Sequence, residues 1–225
     1  MASSQLLTCR EYLSTETAIV KIVNDMLRSL DKGQCVLLVI QDLNAAFDTI
    51  DHELLLHRFE ACFGIQSEAE EWLKSYFSNR QHVIRFKRAN SDPRVLKTGI
   101  PQGSVIGPLS FPQYISPLFK IAENHECGIH MYADDTQLHM SFKHADSEDT
   151  SARIETCIVD VRCWMARNFL KLNDGKTEFL VISKQSVSQR VANIGSITIG
   201  SKSIPAIPKA RNIGCYIDAA LCIEA

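Results

Sequence analysis

The sequence predicts an α+β fold in which a β-α-β-β-α-β chain path forms one sheet with helices packed on it. Three observations lead to this prediction: a continuous apolar run at residues 35–40, two extended segments joined by an acidic turn within residues 128–142, and a long amphipathic segment at 147–168 followed by an extended one at 177–182. A short apolar run bounded by polar residues is typical of a strand buried on both faces. The order of the segments is that of a split β-α-β motif.

The first helix is predicted over residues 14–30, ahead of the apolar strand. Ser14 is a suitable N-cap, and Glu16 in the first turn complements the helix dipole. Gly33 follows the end of the amphipathic pattern, where a glycine commonly ends a helix.

Two further helices are predicted between the apolar strand and the middle of the chain. Asp51 is expected to cap the second helix, which ends at Gly64. Ser67 and Glu70 have the spacing of a capping box for the third helix. The second helix has Leu54, Leu55, Leu56 and Phe59 inward, and the third helix carries Trp72, Leu73, Tyr76 and Phe77.

A basic stretch follows the third helix. Residues 81–87 alternate as an exposed strand, for which residues 95–98 are a candidate partner. The stretch is interleaved with His82 and Phe86 and contains Arg80, Arg85, Lys87, Arg88, Arg94 and Lys97. Such a stretch is either the solvated face of a hairpin or a track that binds phosphates.

Residues 105–123 are apolar enough for a central helix, but prolines interrupt them. Pro108 can occupy a first turn, whereas Pro112 and Pro117 predict a kink or a break. Beyond the strand at 177–182, short terminal strands are predicted at residues 197–199, 203–204 and 213–217.

Three carboxylates follow predicted strand ends. Asp42 comes directly after the apolar strand, and Asp134 and Asp135 occupy the turn of the hairpin. An isolated Asp-Asp pair is ordinary turn chemistry. Here, however, the predicted topology places the end of the first strand beside that hairpin, so the carboxylates can meet. Carboxylate oxygens are ligands that Mg²⁺ prefers, and opposed carboxylates suit two-metal phosphoryl transfer.

The composition bounds the remaining possibilities. The 225 residues, 45% of them hydrophobic, suffice for one substantial core or a core and a small lobe. The net charge of −2 and pI of about 6.4 are mild for a protein that binds nucleic acid. No apolar run approaches the ~20 residues of a membrane span, and no signal peptide is recognisable, so an intracellular protein is expected. The eight cysteines include no Cys-x-x-Cys, which predicts reduced thiols and no zinc site.

Five segments, in order, resemble motifs of the reverse transcriptase domain of non-LTR (LINE-type) retrotransposons. Five motifs in one order are far more specific than any single motif. The segments are DLNAAFDTIDH at 42–52, GIPQGSVIGP at 99–108, YADDTQL at 132–138, NFLKLN with KTE at 168–178, and RNIG at 211–214.

This resemblance implies an RNA-directed DNA polymerase with a polymerase palm, which adds deoxynucleotides to a primer 3′-hydroxyl. The implied cofactor is two Mg²⁺ ions, with Mn²⁺ as a substitute, and the implied partners are an RNA or DNA template, a DNA primer and deoxynucleoside triphosphates. Asp42 and Asp134 would bridge the metals, and Asp135 would be a third carboxylate. Lys176 would approach the leaving pyrophosphate as a general acid.

The resemblance also implies which residues bind nucleotide and nucleic acid. Phe47 would exclude a 2′-hydroxyl by packing under the incoming sugar, although by residue type alone a core role is more common. Gln102 and Gly103 would bind nucleotide from a turn whose backbone N–H groups favour phosphate, and Leu43 would also line that site. Tyr132 would support the primer end. The implied nucleic-acid track contains Arg80, Arg85, Lys87 and Arg88.

Residues 1–34 are expected to be a partial fingers segment, and residues 35–225 a palm with an inserted fingers-like segment at about 64–98. By comparison with the family, the chain is expected to be truncated at both ends and to lack the thumb, and hence to bind primer–template weakly. The alternative is an inactive remnant that acts as a nucleic-acid-binding or protein-interaction module. The sequence does not predict the oligomeric state.

Overall fold

A computed structural model describes residues 14–44, 46–101, 103–173, 175–184 and 194–223 and the backbone of residues 4–6 and 224. Its elements in chain order are β1 (Ser4–Leu6), α1 (Thr15–Asp31), β2 (Cys35–Gln41), β3 (Leu43–Asn44), α2 (His52–Phe63), α3 (Glu68–Phe77), β4 (Gln81–His82), β5 (Arg85–Phe86), β6 (Ala89–Asn90), β7 (Arg94–Val95), α4 (Gly107–Ile115), α5 (Leu118–Asn124), β8 (Gly128–Tyr132), β9 (Asp135–Phe142), a 3-10 turn (His144–Asp146), α6 (Ser147–Arg167), β10 (Lys171–Leu172), β11 (Glu178–Ile182), β12 (Ser196–Ile199), β13 (Lys202–Pro205), β14 (Lys209–Asn212), β15 (Cys215–Asp218) and β16 (Ile223–Glu224).

The central sheet has the strand order β1-β8-β9-β2-β11. The short β1 runs parallel to β8, and the other neighbouring strands are antiparallel. The path β2, α2, β8, β9, α6, β11 is the predicted β-α-β-β-α-β core. In the register of β2 on β9, Gln41 lies opposite Thr136. The end of β2 therefore lies beside the turn that joins β8 to β9.

Both faces of the sheet are covered. One face packs against α2, α4 and α6, with Leu37 and Val39 in the same cluster as Phe111 and Ile158. The other face packs against α1 and the C-terminal strands, and its cluster includes Val36, Leu38, Ile22, Met26 and Ile217. Every residue of β2 is buried, which confirms the predicted two-sided burial. Burial of apolar area on both faces, worth roughly 25 cal/mol per Å², holds the layers together.

Two of the three predicted N-caps are confirmed. The Ser14 side chain accepts a hydrogen bond from Thr17 N at 3.3 Å, and Asp51 accepts one from Leu54 N at 2.9 Å. The capping box at Ser67 is wrong. Ser67 has φ +60° and makes no side-chain cap, and Glu70 forms an ion pair with Lys74. With φ +60° and ψ −132°, the backbone of Ser67 does not take the extended conformation in which a serine caps a helix.

The exposed strand predicted for residues 81–87 is correct only in part. Its pairing with the segment at 95–98 is confirmed at Val95, which lies opposite Gln81, but the strand is divided into two short pieces. β4 pairs with β7, and β5 pairs with β6, so the segment is an irregular hairpin. Between the two short ladders, Ser91 N donates to Ile84 O at 2.9 Å. All residues from 81 to 95 are exposed. A hairpin without a buried face has no core contacts to keep its strands continuous.

The proline-rich segment breaks as predicted. α4 contains Pro112, α5 begins after Pro117, and the two helices are separate elements. The terminal strand predicted at 213–217 is wrong at its start. Ile213 and Gly214, with φ of +46° and +89°, form the two-residue turn between β14 and β15. Positive φ at both turn positions matches the right-handed twist of a hairpin.

Two further findings concern the sequence-based expectations. The described cysteines are free thiols, and Cys35, Cys127 and Cys157 are buried. Across the described ranges, no helix combines the length and the apolar character needed to cross a bilayer.

Candidate active site

Three carboxylates lie at one edge of the central sheet. Asp42 follows the last residue of β2, and Asp134 and Asp135 lie at the tip of the hairpin formed by β8 and β9. The tip is tight because Tyr132 pairs directly with Asp135, and Ala133 takes φ +51°. A non-glycine residue at positive φ is uncommon and marks a turn whose shape is imposed by its surroundings.

The electrostatics of Asp135 show that the three carboxylates influence one another. The pKa of Asp135 is raised to about 6, first by burial and then by the negative charges of Asp134 and Asp42. The ammonium of Lys176 opposes this rise. The sheet edge therefore concentrates negative charge in partly desolvated surroundings, where a cation is favoured.

Lys176 is the cation that occupies this edge in the structure. Its Nζ lies 2.7 Å from Oδ2 of Asp42. The turn that carries Lys176 is held against β2, because Asn173 N donates to Asp42 O at 2.9 Å and Lys176 N donates to Asn173 O at 3.0 Å. The hydrogen bond and the charge of Asp42 raise the pKa of Lys176. Lys176 is thus an exposed ammonium that acts as the counter-ion of Asp42.

The edge supplies the right kind of ligand for a divalent cation but not a preassembled cage. Within the part of the chain that the structure describes, no three His, Cys, Asp or Glu side chains are arranged to hold a metal ion. The carboxylate oxygens of Asp42, Asp134 and Asp135 are the hard donors that Mg²⁺ prefers. A cation bound to both oxygens of Asp42 has to displace the Lys176 ammonium.

The loop containing Phe47 is joined to the glycine-rich loop. Ile100 N donates to Phe47 O, and Gly99 N donates to Ile50 O, both at 2.8 Å. Gly99 has φ +88°, and a Cβ at this position would lie 2.9 Å from the Asp48 carbonyl oxygen. Only glycine fits this close approach of two loops.

Phe47 itself is half-buried. Its ring centroid lies 5.0 Å from that of Phe111, which is buried in α4. One side of Phe47 therefore packs against the core, while the remainder is open to solvent. Core packing, one of the two predicted roles, is thus confirmed, and contact with a sugar stays a prediction.

The predicted nucleotide-binding residues of the glycine-rich loop are described only in part. Gln102 lies outside the described residues, and Gly103 is exposed with φ +79°. Ser104, which sequence reasoning missed, orders the loop because its Oγ accepts a hydrogen bond from Gly107 N at 3.0 Å. The signal for this hydrogen bond was a serine three residues before the first residue of the helix.

Leu43 and Tyr132 lie on either side of the carboxylates. Leu43 is buried in the core and pairs with Leu172, so it can offer a nucleotide only its backbone. Tyr132, at the end of β8, is half-buried against the core cluster that faces α1.

The predicted nucleic-acid track divides into two parts. Arg85, Lys87 and Arg88 are exposed on the hairpin of β5 and β6, and the Lys87 ammonium lies 5.5 Å from the centroid of the Phe86 ring. Arg80 is half-buried, and its guanidinium lies 4.9 Å from the centroid of the Tyr76 ring. Arg80 is therefore tied to α3, whereas the other three extend from it.

Sequence reasoning also missed a buried arginine behind the site. Arg58 packs on the ring of Tyr114 at 4.3 Å and on that of Trp164 at 5.0 Å, and it donates to Tyr114 O and Asn168 Oδ1. These contacts join α2, α4 and the end of α6. Leu55, Arg58 and Phe59 share the spacing of an inward helix face, which was the available signal.

The chain is similar to known proteins in both sequence and fold. A model of the family described as reverse transcriptase (RNA-dependent DNA polymerase) matches residues 5–211. The chain is 27% identical over 173 residues to the probable RNA-directed DNA polymerase from transposon BS of Drosophila melanogaster, covering 75% of this chain and 19% of that protein. It is 22% identical over 217 residues to the RNA-directed DNA polymerase from mobile element jockey of Drosophila funebris, covering 92% of this chain and 22% of that protein.

The chain thus spans about a fifth of the length of these two relatives. The matches confirm the resemblance that the sequence motifs carry.

Two solved structures share the fold. Telomerase from Candida tropicalis truncated from its C-terminal domain gives a TM-score of 0.63 at 13% identity, over 94% of this chain and 40% of that chain. Telomerase from Candida tropicalis in complex with a TWJ fragment of telomeric RNA gives 0.66 at 14% identity, over 94% of this chain and 33% of that chain. These likenesses, together with the strand order, confirm the predicted α+β palm.

Proposed function

Because the chain belongs to the reverse transcriptase (RNA-dependent DNA polymerase) family, we propose that it is the part of a polymerase that extends a DNA primer along an RNA template. The substrates are deoxynucleoside triphosphates, and the cofactor is a pair of divalent cations, Mg²⁺ or in its place Mn²⁺. The 3′-oxygen of the primer forms a bond to the α-phosphorus of the nucleotide, and the bond from that phosphorus to pyrophosphate breaks.

The observation that carries this proposal is the meeting of Asp42, Asp134 and Asp135 at one sheet edge. The charges of both other carboxylates raise the pKa of Asp135, although Asp42 follows a different strand. Asp42 and Asp134 would hold the two cations, with Asp135 as the third carboxylate. Such ions, when bound, lower the pKa of the attacking hydroxyl and neutralise the leaving pyrophosphate.

The remaining residues position the substrates. Phe47 presents the open part of its ring where a deoxyribose would lie, and Gly99 allows the glycine-rich loop to pack directly on the Phe47 loop. Gly103, together with Gln102, would place backbone and amide groups against the nucleotide. Leu43 would contribute its backbone, because its side chain is buried.

Lys176 would have two roles in this site. Without substrate it neutralises Asp42 at 2.7 Å. With a cation in its place, the displaced ammonium is free to approach the leaving pyrophosphate and to donate a proton there. Tyr132 would support the primer end from the neighbouring strand.

The template strand would lie along the basic hairpin. Arg85, Lys87 and Arg88 are exposed there, and Arg80 lies at the base of the hairpin. Contacts to phosphates supply affinity without sequence preference and make binding salt-dependent. The segment 64–98 would thus be the fingers-like part of the polymerase, and residues 35–225 its palm.

Primer extension on an RNA template in Mg²⁺ at low salt tests the proposal. We expect addition of deoxynucleotides by the purified chain and its loss in Asp42→Asn and Asp134→Asn, while Asp149→Asn on the exposed side of α6 behaves as the wild-type chain does. Extension that survives in both carboxylate variants would overturn the proposal. Template binding without any extension would favour a nucleic-acid-binding module.

A further inference from the structure

Three side chains on α3 and just beyond its C-terminal end, those of Trp72, Tyr76 and Arg80, form a stacked row. The rings of Trp72 and Tyr76 have centroids 5.6 Å apart at an interplanar angle of 21°, and the guanidinium of Arg80 lies 4.9 Å from the Tyr76 centroid. Trp72 and Tyr76 are one helical turn apart on α3, and Arg80 follows the end of that helix. The indole of Trp72, the phenol ring of Tyr76 and the guanidinium of Arg80 are therefore stacked one after the other.

The row is anchored at its inner side. Tyr76 meets the ring of Phe77 edge-on at 5.1 Å, and Phe77 is buried against the ring of His52 at 4.8 Å. Arg80 is also held, because its Nη1 donates to Tyr76 O at 3.4 Å. A ring that is already ordered loses little conformational entropy when a ligand stacks on it.

The outer member of the row is open. Trp72 is 57% exposed. Of the four large side chains on α3, namely Trp72, Leu73, Tyr76 and Phe77, only Leu73 and Phe77 are buried. Large aromatic side chains that remain exposed on an ordered element are typical of binding sites.

The two ends of the row differ in charge: acidic residues lie at the Trp72 end and basic residues at the Arg80 end. Glu68 and Glu71 lie in the first turn of α3, beside Trp72. Arg80, at the other end, leads into the hairpin that carries Arg85 and Arg88. An anionic strand that stacks on Trp72 is thus repelled at one end and attracted at the other.

We propose that Trp72, Tyr76 and Arg80 form a stacking site for an unpaired base of single-stranded nucleic acid, whose backbone runs from Arg80 toward the basic hairpin. The inference rests on the proposed function, since a template strand is the ligand that function requires. Proteins that bind single strands combine stacking on aromatic rings with a basic track for the backbone. Arginine stacked on the same row adds a cationic face to the site.

The two tryptophans of the chain permit a direct test. Trp164 is half-buried behind Arg58, and Trp164→Phe leaves Trp72 as the only indole. Titration of this variant with fluorescein-labelled oligouridylate reports binding by anisotropy and stacking by quenching of indole emission. We expect both signals to rise with the same midpoint. If Trp164→Phe does not fold, subtraction of the Trp72→Phe emission from that of the wild-type chain gives the same signal.

Affinity provides the second readout. Trp72→Ala is expected to weaken oligouridylate binding about 5- to 100-fold, the loss of one stacked base, whereas Trp72→Phe retains most of the affinity. Phe63→Ala is the matched control, because Phe63 is an aromatic residue with 45% exposure outside the row. It should bind as the wild-type chain does.

The outcomes separate the inference from the proposed function. Saturating anisotropy with unchanged Trp72 emission, or full affinity in Trp72→Ala, would overturn the stacking site and leave the proposed function intact. Absence of binding by the wild-type chain at low salt would overturn both. Quenching that depends on protein concentration without oligonucleotide, and disappears in Trp72→Ala, would assign the row to contact between copies of the chain and overturn the inference.

Discussion

The Nζ atom of Lys176 lies 2.7 Å from Oδ2 of Asp42, although the two residues are 134 positions apart. Through this contact, the ammonium of Lys176 neutralises the charge of Asp42 at the acidic edge of the sheet. It is built by the turn after β10, whose backbone is hydrogen-bonded to Asp42 itself. The same contact places the residue proposed as a general acid next to a residue proposed as a metal ligand.

Removal of the Lys176 ammonium should therefore strengthen binding of a divalent cation. In Lys176→Gln, Asp42 has no competing cation, and we expect Mn²⁺ to bind about 2- to 5-fold more tightly in the absence of nucleotide, the range of an exposed ion pair. Electron paramagnetic resonance of free Mn²⁺ measures this directly. Turnover in primer extension is expected to fall by about 10²- to 10⁴-fold through the lost proton donor.

Lys184→Gln is the matched control for this prediction. Lys184 also forms an exposed ion pair, with Nζ 3.6 Å from Asp31, but it lies outside the acidic edge. Its Mn²⁺ affinity and turnover should equal those of the wild-type chain. Unchanged Mn²⁺ affinity in Lys176→Gln would show that cations bind without displacing Lys176.

Replacement of Phe47 tests the sugar contact. Phe47→Val removes the part of the ring that faces solvent, so we expect ribonucleotide use to rise relative to deoxynucleotide use. The ratio of kcat/KM values for the two substrates measures this. Phe111→Leu, which removes the ring packed against Phe47 at 5.0 Å, should lower stability with little effect on the ratio. Equal loss for both substrates in Phe47→Val would show that Phe47 is a packing residue only.

The parts of the fold that sequence reasoning predicted are those determined by local periodicity. The apolar run at residues 35–40 contains no polar residue that could face solvent, and β2 is buried. The cap at Asp51 needs only the N–H of Leu54, three positions away. The failure at Ser67 was also local, because φ +60° reverses the cap geometry that its spacing with Glu70 predicted. Short-range patterns thus predict elements but not the dihedral angles of their ends.

The candidate site was predictable only as a set of motifs. The meeting of Asp42 with the hairpin carboxylates follows from topology, which the strand order predicts. The partner of Lys176 and the enclosure of Arg58 between Tyr114 and Asn168 depend on contacts between distant segments. Nothing in the local pattern around these residues specifies which side chains meet them.

Gly99→Ala should destabilise the junction of the two nucleotide-site loops. The substitution combines positive φ with a Cβ that would lie 2.9 Å from Asp48 O. Gly200→Ala is the control, because Gly200 also has positive φ but no atom within 4 Å of its Cβ position. We expect a loss of about 1–2 kcal/mol for Gly200→Ala and a larger loss for Gly99→Ala, measured by urea unfolding. Equal losses of unfolding free energy in Gly99→Ala and Gly200→Ala would show that the contact between Gly99 and Asp48 relaxes without an energetic cost.

Two buried histidines make the fold sensitive to acid. The rings of His130 and His139 are stacked at 5.0 Å between the sheet and α1, and His130 Nε2 lies 3.3 Å from Oδ2 of Asp25, which also pairs with Lys21. The pKa of His130 is lowered to about 3 and that of His139 to about 4, and burial is the largest cause for both. For His130 the charge of His139 adds to this effect, and for both rings Lys21 lowers the pKa whereas Asp25 raises it.

Since an unfolded histidine has a pKa near 6.5, the unfolded chain binds protons at these positions before the folded chain does. Their contribution to stability is therefore present above pH 6.5 and is lost as the pH falls toward 4. Between pH 7 and 5 we expect a loss of as much as about 4 kcal/mol for the two rings together, measured by urea unfolding at both values.

His139→Phe keeps a ring in the stack but cannot titrate, so its loss should be about half as large. His57→Gln, at an exposed position of α2, should lose as much stability as the wild-type chain. An undiminished loss in His139→Phe would assign the acid sensitivity to other groups.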